Sequence, residues 1–192
     1  MIILGVIHLK GLPGSPSNKL NLEEITELAQ NDIDNLSKAG VNGIIVENFG
    51  DVPFVKNDVS KRTVASLTSV IQNLNIDSKL KLGVNVLRND GIAALSIAEA
   101  TNADFVRINV LNNVMMFTDQ GIIEGEANKI IEFNKSLNKD IEIFADVFVK
   151  HAVPPEGSKI ENHAEELINR AGADVVIVTG DGTGPVSYTH LR

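Results

Sequence analysis

The chain has 192 residues, 43% of them hydrophobic and 22% charged, which suits one globular domain with a sizeable core. A formal charge of −8 argues against nonspecific nucleic-acid binding, which needs a basic face, and against purely electrostatic attachment to anionic lipid. Cysteine is absent, which excludes disulfides, thiolate catalysis and Cys-ligated metals. The N-terminal MIILGVIHLKG lacks a basic leader and is broken by His8 and Lys10, and no later run reaches the length of a membrane span. A cytoplasmic protein without an integral membrane segment, at most peripheral to a membrane, is the expectation.

In chain order, Ile2 to His8 reads as a strand buried on both faces, followed by a Gly- and Pro-rich loop. Asn21 and Glu24 form a capping box ahead of a helix carrying Leu22, Ile25, Leu28, Ala29, Ile33 and Leu36 and stopping at Gly40. Residues 43–48 make a second strand and 61–74 a helix. Residues 81–87 make a third strand, 91–101 a helix and 103–110 a fourth strand. A polar loop then runs through Thr118, Asp119 and Gln120 to Gly125, with Met115 and Met116 packed beneath it. Helix 126–137, strand 141–149, helix 160–171 and strand 174–178 follow, ending in the glycine-rich 179–184.

One pattern recurs in AGVNGIIV (39–46), ATNADFVRI (100–108) and AGADVVIV (171–178): a helix end, a short turn, then a β-branched strand. Strict βα alternation with nearly continuous apolar strands predicts a parallel sheet with helices outside it. An open doubly wound sheet fits the same count. A (β/α)8 TIM barrel is favoured because polar residues end every strand rather than one switch point. Such a barrel needs about 250 residues, so the fold class is a parallel barrel truncated after about the sixth strand. A fragment of that kind is expected to be poorly soluble, because it exposes strand edges and apolar surface.

The last seven residues, Val186 to Arg192, fit neither a helix nor a strand pattern. VSYTHL is one translation frame of a transposon end sequence used in sequencing libraries. The expected division is therefore a partial barrel over 1–185 and a sequencing-adapter artefact over 186–192.

Strand alternation places the terminal polar residues on the inner face. His8, Glu47, Asn85, Arg107, Asn109, Asp146, Lys150 and His151 thus gather at the C-terminal edge, where parallel barrels bind ligands. Glu47, Asp146 or His8 could act as general acid or base, and Lys150 could neutralise an anionic substrate or form a Schiff base. Catalytic candidates are therefore Glu47, Asp146, Lys150 and His8. Ligand-binding candidates are Asn48, Asn85, Arg107, Asn109, Asp119, His151, Thr179, Gly180 and Gly182. For Arg107 and Asp146 alone, a purely structural ion pair is an equal alternative. The carboxylates with His8 or His151 form no dense ligand motif, so no metal is expected, and the residues name no cofactor. Gly180 to Gly184 could cradle a phosphate or be a simple loop; it is neither a Walker A motif nor a dinucleotide fingerprint.

The blocks GVIHLKGLPGSP (5–16), GVNGIIVENFGDVPF (40–54), GVNVLRNDGIAALSIAEATNADFVRINV (83–110), TDQGIIEGEA (118–127), FADVFVKHA (144–152) and ADVVIVTGDGTG (173–184) resemble the BtpA/SgcQ family of ribulose-phosphate-binding-type barrels. Lys10-Gly11 departs from relatives that look more apolar or proline-rich there. The resemblance implies a role in photosystem I biogenesis for cyanobacterial members, and for others only a label of membrane biogenesis or nucleoside triphosphatase. No residue supports a P-loop triphosphatase. Two readings stay open: an enzyme or binder of a small phosphorylated or anionic metabolite, or a non-catalytic assembly factor docking through the 112–121 loop. A homo-oligomer or an assembly partner is compatible with either.

Overall fold

The computed structural model describes residues 1–179. Gly180, Gly182, the rest of the glycine-rich loop and the 186–192 tail lie outside the described residues. Six parallel strands form one sheet: β1 (Leu4–His8), β2 (Gly43–Glu47), β3 (Lys81–Asn85), β4 (Phe105–Ile108), and two later ones. Between them come α1 (Leu22–Lys38), α2 (Lys61–Asn73) and α3 (Gly91–Thr101). After β4 the chain makes β5 (Val114–Phe117) and β6 (Gly121–Glu124), then α4 (Ala127–Ser136). The fifth parallel strand is β7 (Glu142–Asp146); β8 (Ala152–Val153), α5 (Ile160–Asn169) and the sixth parallel strand, β9 (Val175–Ile177), follow. The order β1-β2-β3-β4-β7-β9 keeps sequence neighbours adjacent, so the sheet curls as a half-barrel with the helices outside.

The capping box forms as expected: Glu24 N–H donates to Asn21 Oδ1 at 2.9 Å, and Asn21 N–H donates to Glu24 Oε2 at 2.8 Å. Helix α1 then buries Ile25, Ala29 and Ile33 against the sheet. Helix α3 lies at the centre of the outer layer and buries Ala93, Ala94, Leu95, Ile97 and Ala98. Its alanines let it pack closely on β3 and β4 while touching α2 and α4 on either side. The core between sheet and helices takes every second strand residue, among them Ile7, Ile44, Val46, Val84, Val106, Ile108 and Ala145. The opposite, concave face carries Val6, Ile45, Phe105 and Phe144, with the last two rings stacked at 4.2 Å. Phe105 occupies the space beside Gly83, where an added Cβ would sit 2.3 Å from its ring.

The three recurring joints share one hydrogen-bond device. Asn42 N–H donates to Ile3 O at 2.7 Å, and Asn42 Oδ1 accepts from Ile3 N–H at 2.8 Å. Asp104 makes the same pair with Leu82, and Asp174 with Ile143. Each side chain thereby imitates one more rung of the ladder below the strand start. The residue two positions earlier turns the chain with positive φ: Gly40 at 80°, Asn102 at 59° and Gly172 at 77°.

One expectation is corrected here. The stretch read as a polar loop, 112–125, is an antiparallel hairpin, β5 paired with β6 and, on its other side, with β8. Alternation in Val114-Met115-Met116-Phe117 buries Met115 and Phe117 and turns Met116 outward, so only one of the two methionines packs beneath the hairpin. The four-residue strands and the Thr-Asp-Gln turn conceal this in the sequence. Strands β1 and β9 have no further strand paired to them among the described residues, and Val6 and Val175 are 39% and 38% exposed.

Candidate functional site

The parallel register sets His8, Glu47, Asn85 and Arg107 side by side at one level of the sheet. Alternation turns all four to the concave face, because their neighbours Ile7, Val46, Val84, Val106 and Ile108 enter the helix-side core. Asn109 and Asp146 stand above that row, so polar side chains replace the apolar interior only at the C-terminal edge.

These residues form one continuous network. Arg107 donates from Nε to Asp146 Oδ2 at 3.1 Å and from Nη2 to Oδ1 at 3.0 Å, a forked pair. Asn109 Nδ2 donates to Asp146 Oδ2 at 2.7 Å, and Asn85 Nδ2 donates to Arg107 O at 2.8 Å and to Asn109 Oδ1 at 3.2 Å. Arg107 Nη1 lies 3.9 Å from Glu47 Oε2, and the other Glu47 oxygen lies 2.9 Å from His8 Nε2. His8 is half-exposed and stacks on Phe49 at 4.3 Å. Burial works against the Arg107 charge, but Asp146 and Glu47 outweigh it and hold the guanidinium above its ordinary value. Burial pushes the Asp146 carboxyl up, opposed by Arg107, Asn109 and Lys150. Both of its oxygens accept from N–H donors, which favours the ionised form against that burial.

A narrow cleft with a free volume of only about 10 Å³ lies over this network. Its wall includes Lys150 and His151 from the segment after β7. Asp119 lies exposed at the hairpin tip, and its charge is felt at Arg88. Thr179 donates its hydroxyl to Phe148 O at 2.9 Å, which ties the end of β9 to the segment after β7. Asn48 is occupied as a clamp: Leu87 N–H donates to its Oδ1 at 2.7 Å, and its Nδ2 donates to Asp51 Oδ2 at 3.1 Å. Among the described residues no group of three or more His, Asp or Glu is placed to hold a metal ion.

Four contributors escape the sequence reading. Asn89 clamps Val110, accepting its N–H at 2.8 Å and donating to its carbonyl at 3.0 Å. Asp51 accepts Leu12 N–H at 2.7 Å; burial raises its carboxyl above the ordinary range, against the hydrogen bonds from Leu12 and Asn48. Phe49 supplies the ring under His8. Arg88 lines the cleft with its guanidinium between two rings, Phe54 at 4.6 Å and Phe117 at 5.2 Å. Only Arg88 carried a sequence signal, an arginine directly after an apolar strand end.

A curled parallel sheet of six strands with its helices outside and a charged network at the C-terminal edge defines an α/β protein of half-barrel architecture. Within that class the chain belongs to the BtpA family, whose model matches residues 1–191. It is 48% identical over 190 residues to an uncharacterized protein of Thermococcus kodakarensis, covering 98% of this chain and 71% of that one. It is 41% identical over 182 residues to the photosystem I biogenesis protein BtpA of Synechocystis, covering 95% of this chain and 63% of that one. An uncharacterized mitochondrial protein of Caenorhabditis elegans is 34% identical over 194 residues, with 95% and 68% covered.

Proposed function

We propose that this protein binds, and converts, a small phosphorylated or otherwise anionic metabolite at the C-terminal face of a (β/α)8 barrel. The remaining strands of that barrel would come from the part of the relatives' length that lies beyond this match. The observation that carries the reading is the Glu47–Arg107–Asp146 network. Three charged side chains point into the concave face under a narrow cleft, where a purely structural interior would hold apolar residues. In this reading Lys150 and Arg107 attract the anion, Asp146 holds Arg107 in place, and the His8–Glu47 pair moves a proton.

A second reading, a non-catalytic factor for assembling photosystem I or another membrane complex, is favoured by the name of the Synechocystis relative. Relatives in Thermococcus and a nematode, neither photosynthetic, weigh against that role as the family's common one. No helix among the described residues is long and apolar enough to cross a membrane.

The test is calorimetric titration of the full-length protein with a panel of sugar phosphates. At least one is expected to bind, and binding should be lost in Asp146→Asn and in Lys150→Ala. A panel without any binder overturns the metabolite reading. A photosynthetic host in which variants of Glu47, Arg107 or Asp146 lose function while partner binding survives would remove the scaffold reading.

A further inference from the structure

Two buried polar atoms in the cleft have no hydrogen-bond partner among the described residues: Arg88 Nε and Asn85 Oδ1. Arg88 is 8% exposed, and no carboxylate lies within salt-bridge distance of it among the described residues. A buried guanidinium without an anion is costly, and the family of contacts around it explains how it is tolerated. Phe54 arrives from the β2–α2 loop and Phe117 from the β5–β6 hairpin, and their faces hold the cation from two directions. Gln120 in the same hairpin donates to Phe54 O at 3.4 Å, so the two walls of the sandwich are themselves joined. Those rings hold the guanidinium in position and leave its Nε–H without an acceptor among the described residues. Asn85 has spent both its amide hydrogens on Arg107 O and Asn109, so its oxygen can only accept.

We infer that Arg88 joins Lys150 and Arg107 in binding the anion and makes its direct contact in the cleft, and that Asn85 Oδ1 accepts a hydroxyl of the same ligand. The ligand class is then a hydroxylated small molecule with one anionic group, a phosphate or a carboxylate, rather than a bare anion or an apolar compound. This rests on the metabolite reading above and narrows it. A neutral polyol satisfies Asn85 but leaves Arg88 without an anion, and inorganic phosphate does the reverse. Phe54, Phe117 and the hairpin thus act in recognition by presenting a rigid cation, not by touching the reacting atoms. Burial also pulls the Arg88 guanidinium down from its ordinary value, against Asp119 and Glu47, which fits a cation awaiting a closer anion.

The experiment uses full-length protein labelled with ¹⁵N and follows the arginine Nε–H resonances, with Arg88 assigned by its absence in Arg88→Gln. Glycerol 3-phosphate, glycerate, inorganic phosphate and glycerol are the probes. Either glycerol 3-phosphate or glycerate is expected to shift the Arg88 resonance, and the preferred one identifies the anion as phosphate or carboxylate. Glycerol is expected to do nothing, and inorganic phosphate to bind at least tenfold more weakly than the preferred probe. Arg88→Gln should weaken binding at least tenfold, while Arg88→Lys, which keeps the charge, retains part of it. Asn85→Leu should abolish the preference over inorganic phosphate. Binding of a probe with an unmoved Arg88 resonance, or with affinity unchanged in Arg88→Gln, overturns this inference and leaves the metabolite reading standing. Failure of these probes together with every sugar phosphate of the panel overturns both.

Discussion

At the scale of single residues, the Arg107–Asp146 pair shows how a charge can be kept in an apolar strand. Both carboxylate oxygens and the donors facing them are matched, so desolvation is offset by forked geometry and by the amide of Asn109. Removing one member leaves the other buried and unmatched. Asp146→Ala is expected to lower stability by about 3–5 kcal/mol in urea denaturation, because Arg107 keeps only Glu47 at 3.9 Å. The paired residues were legible in the sequence, since a lone Arg or Asp inside an apolar strand stands out. Arg88 carried a signal, an arginine just past a strand end, but its setting depends on Phe54 and Phe117, 34 positions earlier and 29 later, rings that only the fold brings over it. Asn48 shows the opposite difficulty. As a polar residue at a strand end it reads as a ligand, whereas its hydrogen bonds to Leu87 and Asp51 make it a clamp between neighbouring loops.

At the scale of elements, the repeated joint carries most of the architectural information. The turn residue, the Asn or Asp and the following β-branched run are visible as a pattern, and the helices and parallel strands follow from periodicity alone. What pattern could not supply was the β5–β6 hairpin, whose strands are short and whose pairing with β8 spans the α4–β7 unit. The joint also makes two predictions. Asn102, at φ 59°, should accept glycine readily, as Gly40 and Gly172 already occupy the equivalent turns. Alanine there should cost roughly 1 kcal/mol by thermal unfolding. Asp104 lies below its ordinary carboxylate value: burial acts to raise it, but the Leu82 N–H and Lys81 outweigh that. A carboxyl depressed in the fold stabilises above its unfolded pKa of about 3.9. That contribution is lost as pH falls through the lower folded value. The melting temperature of Asp104→Asn, which keeps the acceptor as Asn42 does, should therefore fall less steeply between pH 4 and 2 than that of the parent.

At the scale of the whole molecule, the half-barrel exposes what a closed barrel would cover. Val6 on β1 and Val175 on β9 are partly open to solvent, and among the described residues both strands have one unpaired edge. If the proposed closure is right, residues 1–192 expressed alone should self-associate in light scattering and bind a hydrophobic dye. Full-length protein should do neither. Equal behaviour of the two would count against closure at these edges.

The hydrogen bonds that build the polar edge have a consequence for how the chain reaches its fold. Asp51 reaches Leu12, Asn48 reaches Leu87 and Arg107 reaches Asp146, each across 39 positions, while Asn89 reaches Val110 across 21. Each of these bonds closes a loop of one βα unit, so no step requires a distant end to find its place first. Since closure entropy grows only as the logarithm of loop length, the edge can assemble as a series of similar, modest steps. It zips from one unit to the next, and the charged centre matures only once β2, β4 and β7 have docked. Amide exchange should accordingly be slowest in β2–β4 and quicken toward β9, whose outer edge has no neighbour to hold it among the described strands.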